Sequence, residues 1–191
     1  FEVPGRYFEI GPNGPTGTIL QGRRPSQSYI PIPPPKKGRG KAGQPVLQDD
    51  LLSLTHETVA ENDLINALRR ALTDWRRRDY PGTTTTTRRL LHHWADDARE
   101  NRMLFCQREA AETAIFLAEA AGRTADAADW RKRLDETNEQ HNNGLPRVAL
   151  KMATGSGKTV VMAMLIAWQT LNKAYHPHDD RFTNRFLVVT P

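Results

Sequence analysis

Apolar positions recur every three or four residues over 62–78, where Leu64, Ile65, Leu68, Leu72 and Trp75 share one face. Arg69, Arg70, Arg76 and Arg77 fall largely off it, so the stretch is predicted to be an amphipathic helix. Asn62 or Asp63 can cap its start and Tyr80-Pro81-Gly82 ends it. Five threonines, Thr83 to Thr87, follow. Their hydroxyls could serve phosphates, but such a run more often makes a polar loop with a helix cap. A short helix is predicted over 88–96, with Leu90, Leu91 and Trp94 available to pack. A longer one is predicted over 104–121, carried by Phe105, Ala110, Ile115, Phe116 and Leu117. Residues 124–143 are charged and poor in large apolar side chains, which suits an exposed helix or insertion ending at Asn142-Asn143-Gly144.

The pattern then changes. Arg147-Val-Ala-Leu-Lys-Met152 reads as a strand, 153–157 as a tight loop and 158–171 as a buried helix. A polar loop over 172–184 leads to a second strand, 186–190. Strand, loop, apolar helix and strand make a right-handed βαβ unit, which implies a parallel sheet. The expected fold class is α/β, a partial P-loop sheet preceded by an irregular and helical N-terminal region. Residues 1–43 are Gly- and Pro-rich, and 31–41 should be extended or disordered because proline fixes φ and removes a donor.

Composition sharpens this only slightly. The 191 residues carry a formal charge of +5 and 38% hydrophobic residues. Thirteen prolines crowd mostly into the first half. A basic balance is compatible with a polyanionic partner without requiring one. From Arg23 to Lys41 every charge is positive: Arg23, Arg24, Lys36, Lys37, Arg39 and Lys41. That run reads as a solvated linker or as a phosphate-touching arm. The single cysteine, Cys106, excludes an intramolecular disulfide and is expected to be packed. Nothing resembles a membrane span or a signal peptide, so a cytoplasmic protein is expected. The chain begins at Phe1 and stops at Pro191 after a strand-like run, so it is read as a piece of a longer protein.

The chemistry concentrates in Ala153-Thr154-Gly155-Ser156-Gly157-Lys158-Thr159. A triphosphate is densely anionic and needs several donors aimed at one small volume. Gly155 and Gly157 lack Cβ atoms, so the backbone can turn consecutive N–H groups inward. The helix that follows offers its unpaired N–H groups and positive end to the same anion. Lys158 can reach the β- and γ-phosphates, and the Thr159 hydroxyl can ligand Mg²⁺. The generic pattern GxxxxGK[ST] has glycine where this chain has Met152, but the GxGKT core is intact. A glycine-rich turn preceding Lys-Thr by chance is the bland alternative. His176, His178, Asp179 and Asp180 could be taken for a metal cluster, but histidines flanking a proline in a polar loop are usually just solvated. His92-His93 reads the same way.

With ATGSGKT, its apolar helix and the strand ending FLVVTP, the chain resembles superfamily 2 helicases and translocases. It looks most like the N-terminal part of a DEAD/DEAH-box helicase family protein of the type III restriction enzyme helicase-subunit (Res) kind. LKMATGSGKT corresponds to that family's motif I and the Thr-Pro strand end to motif Ia. LFCQREAAETAIFLAEAAG resembles its upstream Gln-containing element. YPGTTTTTRRLLHHWAD and GRRPSQSYIPIP look like the N-terminal region of bacterial members. The resemblance implies that Thr154, Gly155, Ser156, Gly157, Lys158 and Thr159 hold the phosphates of ATP, with Mg²⁺ on Thr159 and Lys158 as the catalytic charge stabiliser. It also implies that Gln107 reads the adenine edge, since an amide can donate and accept opposite N6–H₂ and N7. Thr190 would lie near a nucleic-acid backbone.

The expected organisation is a basic irregular region over 1–60, a helical accessory region over 61–103 and the start of the ATP-binding domain over 104–191. A charged insertion occupies 123–144. The expected function is an ATP-driven DNA helicase or translocase, acting on double-stranded DNA, with a methyltransferase subunit as a possible partner. Hydrolysis also needs an acidic pair after a later strand, for which Asp179 and Asp180 are poor candidates. A second motor lobe and any nuclease domain would lie elsewhere in the parent, so the expected activity belongs to the parent. Two alternatives are another P-loop enzyme (a kinase or a remodelling ATPase) and a non-catalytic interaction module.

Overall fold

The computed structural model describes residues 2–11, 14–31, 57–123, 128–145 and 147–189. The chain divides into two compact units, Pro4–Arg69 and Phe1–Val3 with Arg70–Pro191.

In the first unit, β1 (Arg6–Gly11) pairs antiparallel with β2 (Gly14–Gln21), Tyr7 opposite Leu20 and Phe8 opposite Ile19. A bulge between Phe8 and Ile10 shifts the register, so that Ile10 faces Pro15. A second antiparallel pair joins β3 (Gln27–Pro31) to β4 (Glu57–Glu61). The expectation of an irregular N-terminal stretch is corrected here. Short local ladders satisfy backbone groups even where little is buried, and Phe8 and Ile19 remain more than half exposed. Most of the predicted extended run 31–41, with Lys36, Lys37, Arg39 and Lys41, lies outside the described residues. Helix α1 (Asp63–Arg77) begins in this unit. Ser26 is tied to its start, accepting at its carbonyl from Asn62 N at 2.9 Å and donating its N–H to Asn66 Oδ1 at 2.8 Å.

The second unit is helical: the rest of α1, α2 (Thr85–Ala95), α3 (Phe105–Ile115), α4 (Ala128–His141) and α5 (Lys158–Tyr175). Its core is built from Leu72, Trp75, Leu91, Ile115, Phe116, Val161, Met164 and Trp168, all buried. Trp75 meets Tyr80 edge-on at 4.9 Å and Phe116 at 5.3 Å. Leu72 and Trp75 are the buried part of the predicted α1 face, whereas Leu64 and Ile65 stay exposed. The helix ends where expected, with Asp79 (φ 60°) and Tyr80 (φ 57°) both left-handed and Tyr80 N–H bonded to Trp75 O at 3.0 Å.

Thr84 caps α2, its hydroxyl accepting from Thr87 N–H at 3.0 Å, so α2 starts three residues before the predicted boundary. After Ile115, α3 widens into a π-helical turn, Phe116–Ala120. The charged stretch forms α4 and ends in a turn closed by Leu145 N–H on Asn142 O at 2.8 Å.

The largest departure concerns the parallel sheet. Neither 147–152 nor the described residues of 186–190 joins a ladder, and no backbone hydrogen bond links the two among the described residues. Leu187 and Val189 are 89% and 82% exposed. A helix closes its hydrogen bonds within itself, but a strand exists only against a neighbour. Local pattern therefore secured α5 and not the sheet. For the same reason α5 is buried on one face only, through Val161, Met164, Trp168 and Asn172, while Val160, Met162 and Leu171 are exposed.

Candidate functional site

Residues 153–157 form a loop at the head of α5, which Lys158 and Thr159 open; of these seven, Ser156 and Gly157 are half-buried and the rest exposed. Gly155 (φ 76°) and Gly157 (φ 81°) both lie in the left-handed region, which side chains disfavour. Gly157 is also the residue preceding the first turn of α5. Val160 and Val161 N–H bond back to Gly157 O at 3.0 and 3.3 Å. Among the described residues, the N–H groups of Gly155, Gly157, Lys158 and Thr159 have no protein acceptor. These are donors that a helix start leaves over.

One carbonyl organises the rest of the loop. Ala153 O accepts from Ser156 N at 3.3 Å, Ser156 Oγ at 2.6 Å and Lys158 Nζ at 2.9 Å. The Lys158 ammonium is thus folded back over its own loop, on an exposed surface, against a neutral oxygen. An anionic oxygen is a stronger acceptor for an ammonium than a carbonyl. The loop can therefore exchange that internal bond for a phosphate.

Gln107 lies against this loop from the first turn of α3. It is 7% exposed, and its Nε2 donates to Ser156 O at 3.1 Å while its Oε1 accepts from Leu104 N at 2.9 Å. Gly157 makes this approach possible, because a Cβ there would sit 2.1 Å from Gln107 Nε2. Thr154, Gly155, Ser156, Gly157, Lys158 and Thr159 are contiguous in the loop, and Gln107 joins them across 49 residues. Thr190 lies outside the described residues.

Cys106, expected to be packed, is exposed. It sits on the outward side of α3 next to Gln107, because the helix turns only one of two consecutive residues toward the loop. The histidines of 176–180 line an open cleft of about 620 Å³ with Arg123 and Arg181. Asp179 is occupied by the Arg181 guanidinium at 2.6 and 3.0 Å, and that hydrogen bond holds its carboxyl down at about 2.

Two buried carboxylates escaped the sequence reading. Glu112 is 2% exposed and bonded to Arg76, with Arg76 Nε at 3.0 Å and the Tyr80 hydroxyl at 3.3 Å. Glu119 is 1% exposed and accepts from Thr84 N–H, Thr87 Oγ1 and Trp168 Nε1. The only hint in the sequence was a glutamate among apolar neighbours in AIFLAEAAG. The threonine run therefore serves a helix cap and a buried network.

A left-handed glycine pair, a lysine and amides without a protein acceptor thus stand together in a glycine-rich loop at a helix N-terminus. The model of the family described as type III restriction enzyme, res subunit, matches residues 106–191. That segment includes Gln107, the loop and α5, and its family is of the helicase type with an ATP-binding module. Comparisons with curated proteins and with solved structures gave no match. No helix among the described residues is long and apolar enough to cross a membrane.

Proposed function

We propose that this chain is the ATP-binding part of an ATP-dependent DNA helicase or translocase of the restriction type. The observation that carries the reading is the set of four acceptor-free amides around Gly155–Thr159, beside Lys158, inside the segment matched by the res-subunit family. The amides of Gly155, Gly157, Lys158 and Thr159 would cradle phosphates, and Lys158 would leave Ala153 O for the β- and γ-phosphate oxygens. The Thr159 hydroxyl would ligand Mg²⁺, an oxygen donor suited to a hard cation that shields phosphate charge. Gln107 belongs to the same site through Ser156.

Residues 104–191 would start the ATP-binding domain, with 123–144 as a charged insertion and 61–103 as a helical accessory region. Thr190 would approach a double-stranded DNA backbone, and a methyltransferase subunit would be a partner of the whole protein. Closure around nucleotide would link phosphate contacts to strand contacts. The test is ATP hydrolysis by the protein with and without double-stranded DNA. Stimulation by DNA is expected; equal rates would count against a nucleic-acid motor.

A further inference from the structure

We propose that Gln107 is a positioning residue for the phosphate loop, setting the direction of the Gly157 N–H through its bond to the Ser156 carbonyl. The inference rests on the nucleotide-site reading above, but it assigns Gln107 a task distinct from contact with the base.

Gln107 occupies the third position of α3, and its Oε1 reaches back to the Leu104 N–H that opens the helix, at 2.9 Å. With its oxygen held there, the amide plane is oriented and Nε2 is presented to the loop, where it meets Ser156 O at 3.1 Å. Both ends of the side chain are therefore committed to protein groups, and only 7% of the residue is exposed. A base reader needs the acceptor and the donor of the amide free along one edge.

The consequence lies in the next bond of the chain. Ser156 C=O and Gly157 N–H belong to one planar peptide unit, which is trans, as no cis bond occurs here. In a trans unit the C=O and N–H point in opposite directions. Drawing Ser156 O toward Gln107 therefore turns the Gly157 N–H away from α3, toward the exposed side where no protein group accepts from it. Gly157 is also free of the steric barrier that would hold this peptide in a different orientation, being glycine at φ 81°. Any Cβ at that position would displace Gln107. The glutamine and the glycine thus form a matched pair, one supplying the bond and the other the room.

A positioning role makes Gln107 indifferent to what lies beyond the phosphates. The experiment titrates wild type and Gln107→Met with magnesium-ATP and with magnesium tripolyphosphate, which has no base. Methionine keeps length and neutrality while deleting both hydrogen bonds. The expected result is roughly 3- to 10-fold weaker binding of both ligands, the size of one lost hydrogen bond, with their ratio unchanged within about twofold. Weakening of ATP alone would assign Gln107 to the base and overturn the proposal, as would unchanged binding of both.

A second measurement is independent of any ligand. Backbone ¹⁵N relaxation should show the Gly157 amide falling from a rigid order parameter of about 0.85 toward about 0.6 in Gln107→Met, while amides in the middle of α5 keep theirs. An unchanged Gly157 amide, or a uniform loss along α5, would overturn the proposal. Wild type that binds neither ligand would sink the nucleotide reading, and the relaxation result would still decide what Gln107 does to the loop.

Discussion

The indole Nε1 of Trp168, in the helix that begins at the glycine-rich loop, donates to the buried Glu119 carboxylate at 3.0 Å. The same carboxylate takes Thr87 Oγ1 at 2.8 Å, and Asn172 Nδ2 donates to Thr87 Oγ1 at 2.9 Å. Glu119 follows α3, the threonines open α2, and Trp168 and Asn172 lie on α5. One buried cluster therefore fixes three helices against each other behind the loop. A carboxylate out of water is tolerable only with its oxygens satisfied, and here three donors converge on it.

Glu119→Ala removes the acceptor from those donors and is expected to cost at least about 2 kcal/mol of stability, because buried donors without partners retain their full desolvation penalty. Trp168→Phe should cost about 1 kcal/mol, and the pair should be less than additive. Urea unfolding of the four proteins measures all three terms. A Glu119→Ala loss below about 0.5 kcal/mol would mean that the network contributes little.

On the proposed reading, Lys158→Ala should lower ATPase activity by at least roughly 100-fold, the scale on which removal of a major phosphate stabiliser acts. Steady-state turnover at saturating magnesium-ATP is the measurement. Near-normal turnover would remove Lys158 from the catalytic machinery.

The two loop glycines should differ in what alanine does to them. At Gly155 an added Cβ meets nothing within 4 Å, so only the left-handed φ of 76° opposes it, about 1–2 kcal/mol. At Gly157 the same φ cost is joined by a collision at 2.1 Å with the Gln107 amide. Titration with magnesium-ATP should therefore show Gly157→Ala weakening binding at least about 10-fold more than Gly155→Ala. Equal losses would indicate that only backbone strain matters.

Tyr80 provides a pH signature. Burial, and then the neighbouring Glu112 charge, push its phenol from 10.0 up to about 12. The folded state thus holds the proton more tightly than the unfolded chain. Its contribution is fully present below about pH 10 and is lost as pH rises from about 10 to 12. Stability measured across that window should fall more steeply in wild type than in Tyr80→Phe. The phenolate absorbance difference between the two proteins should titrate late. An ordinary midpoint near 10 in that difference would refute the burial argument.

Much of the second unit was legible because its information is local. A cap within the threonine run, the stop at Tyr80-Pro81-Gly82 and the long helix after Lys158 all follow from side chains within one or two turns of each other. The tight turn at Gly155 and Gly157 was legible for the same reason, since its glycines lie within a few consecutive residues. The N-terminal pairing of Phe8 with Ile19 was missed because glycine and proline obscured a weak alternation with little burial behind it. The exposure of Cys106 was missed because apolar neighbours in sequence do not fix which side of a helix is covered.

By itself, then, the order of residues settled which stretches coil into helices and where the backbone turns tightly ahead of α5. Those outcomes need only hydrogen bonds within a few residues. Folding in three dimensions decided which partners meet across the chain: Gln107 with Ser156, Glu119 with Trp168, and no ladder between 147–152 and 186–189. Such contacts join groups up to 49 residues apart, where periodicity carries no information and only packing selects the neighbour.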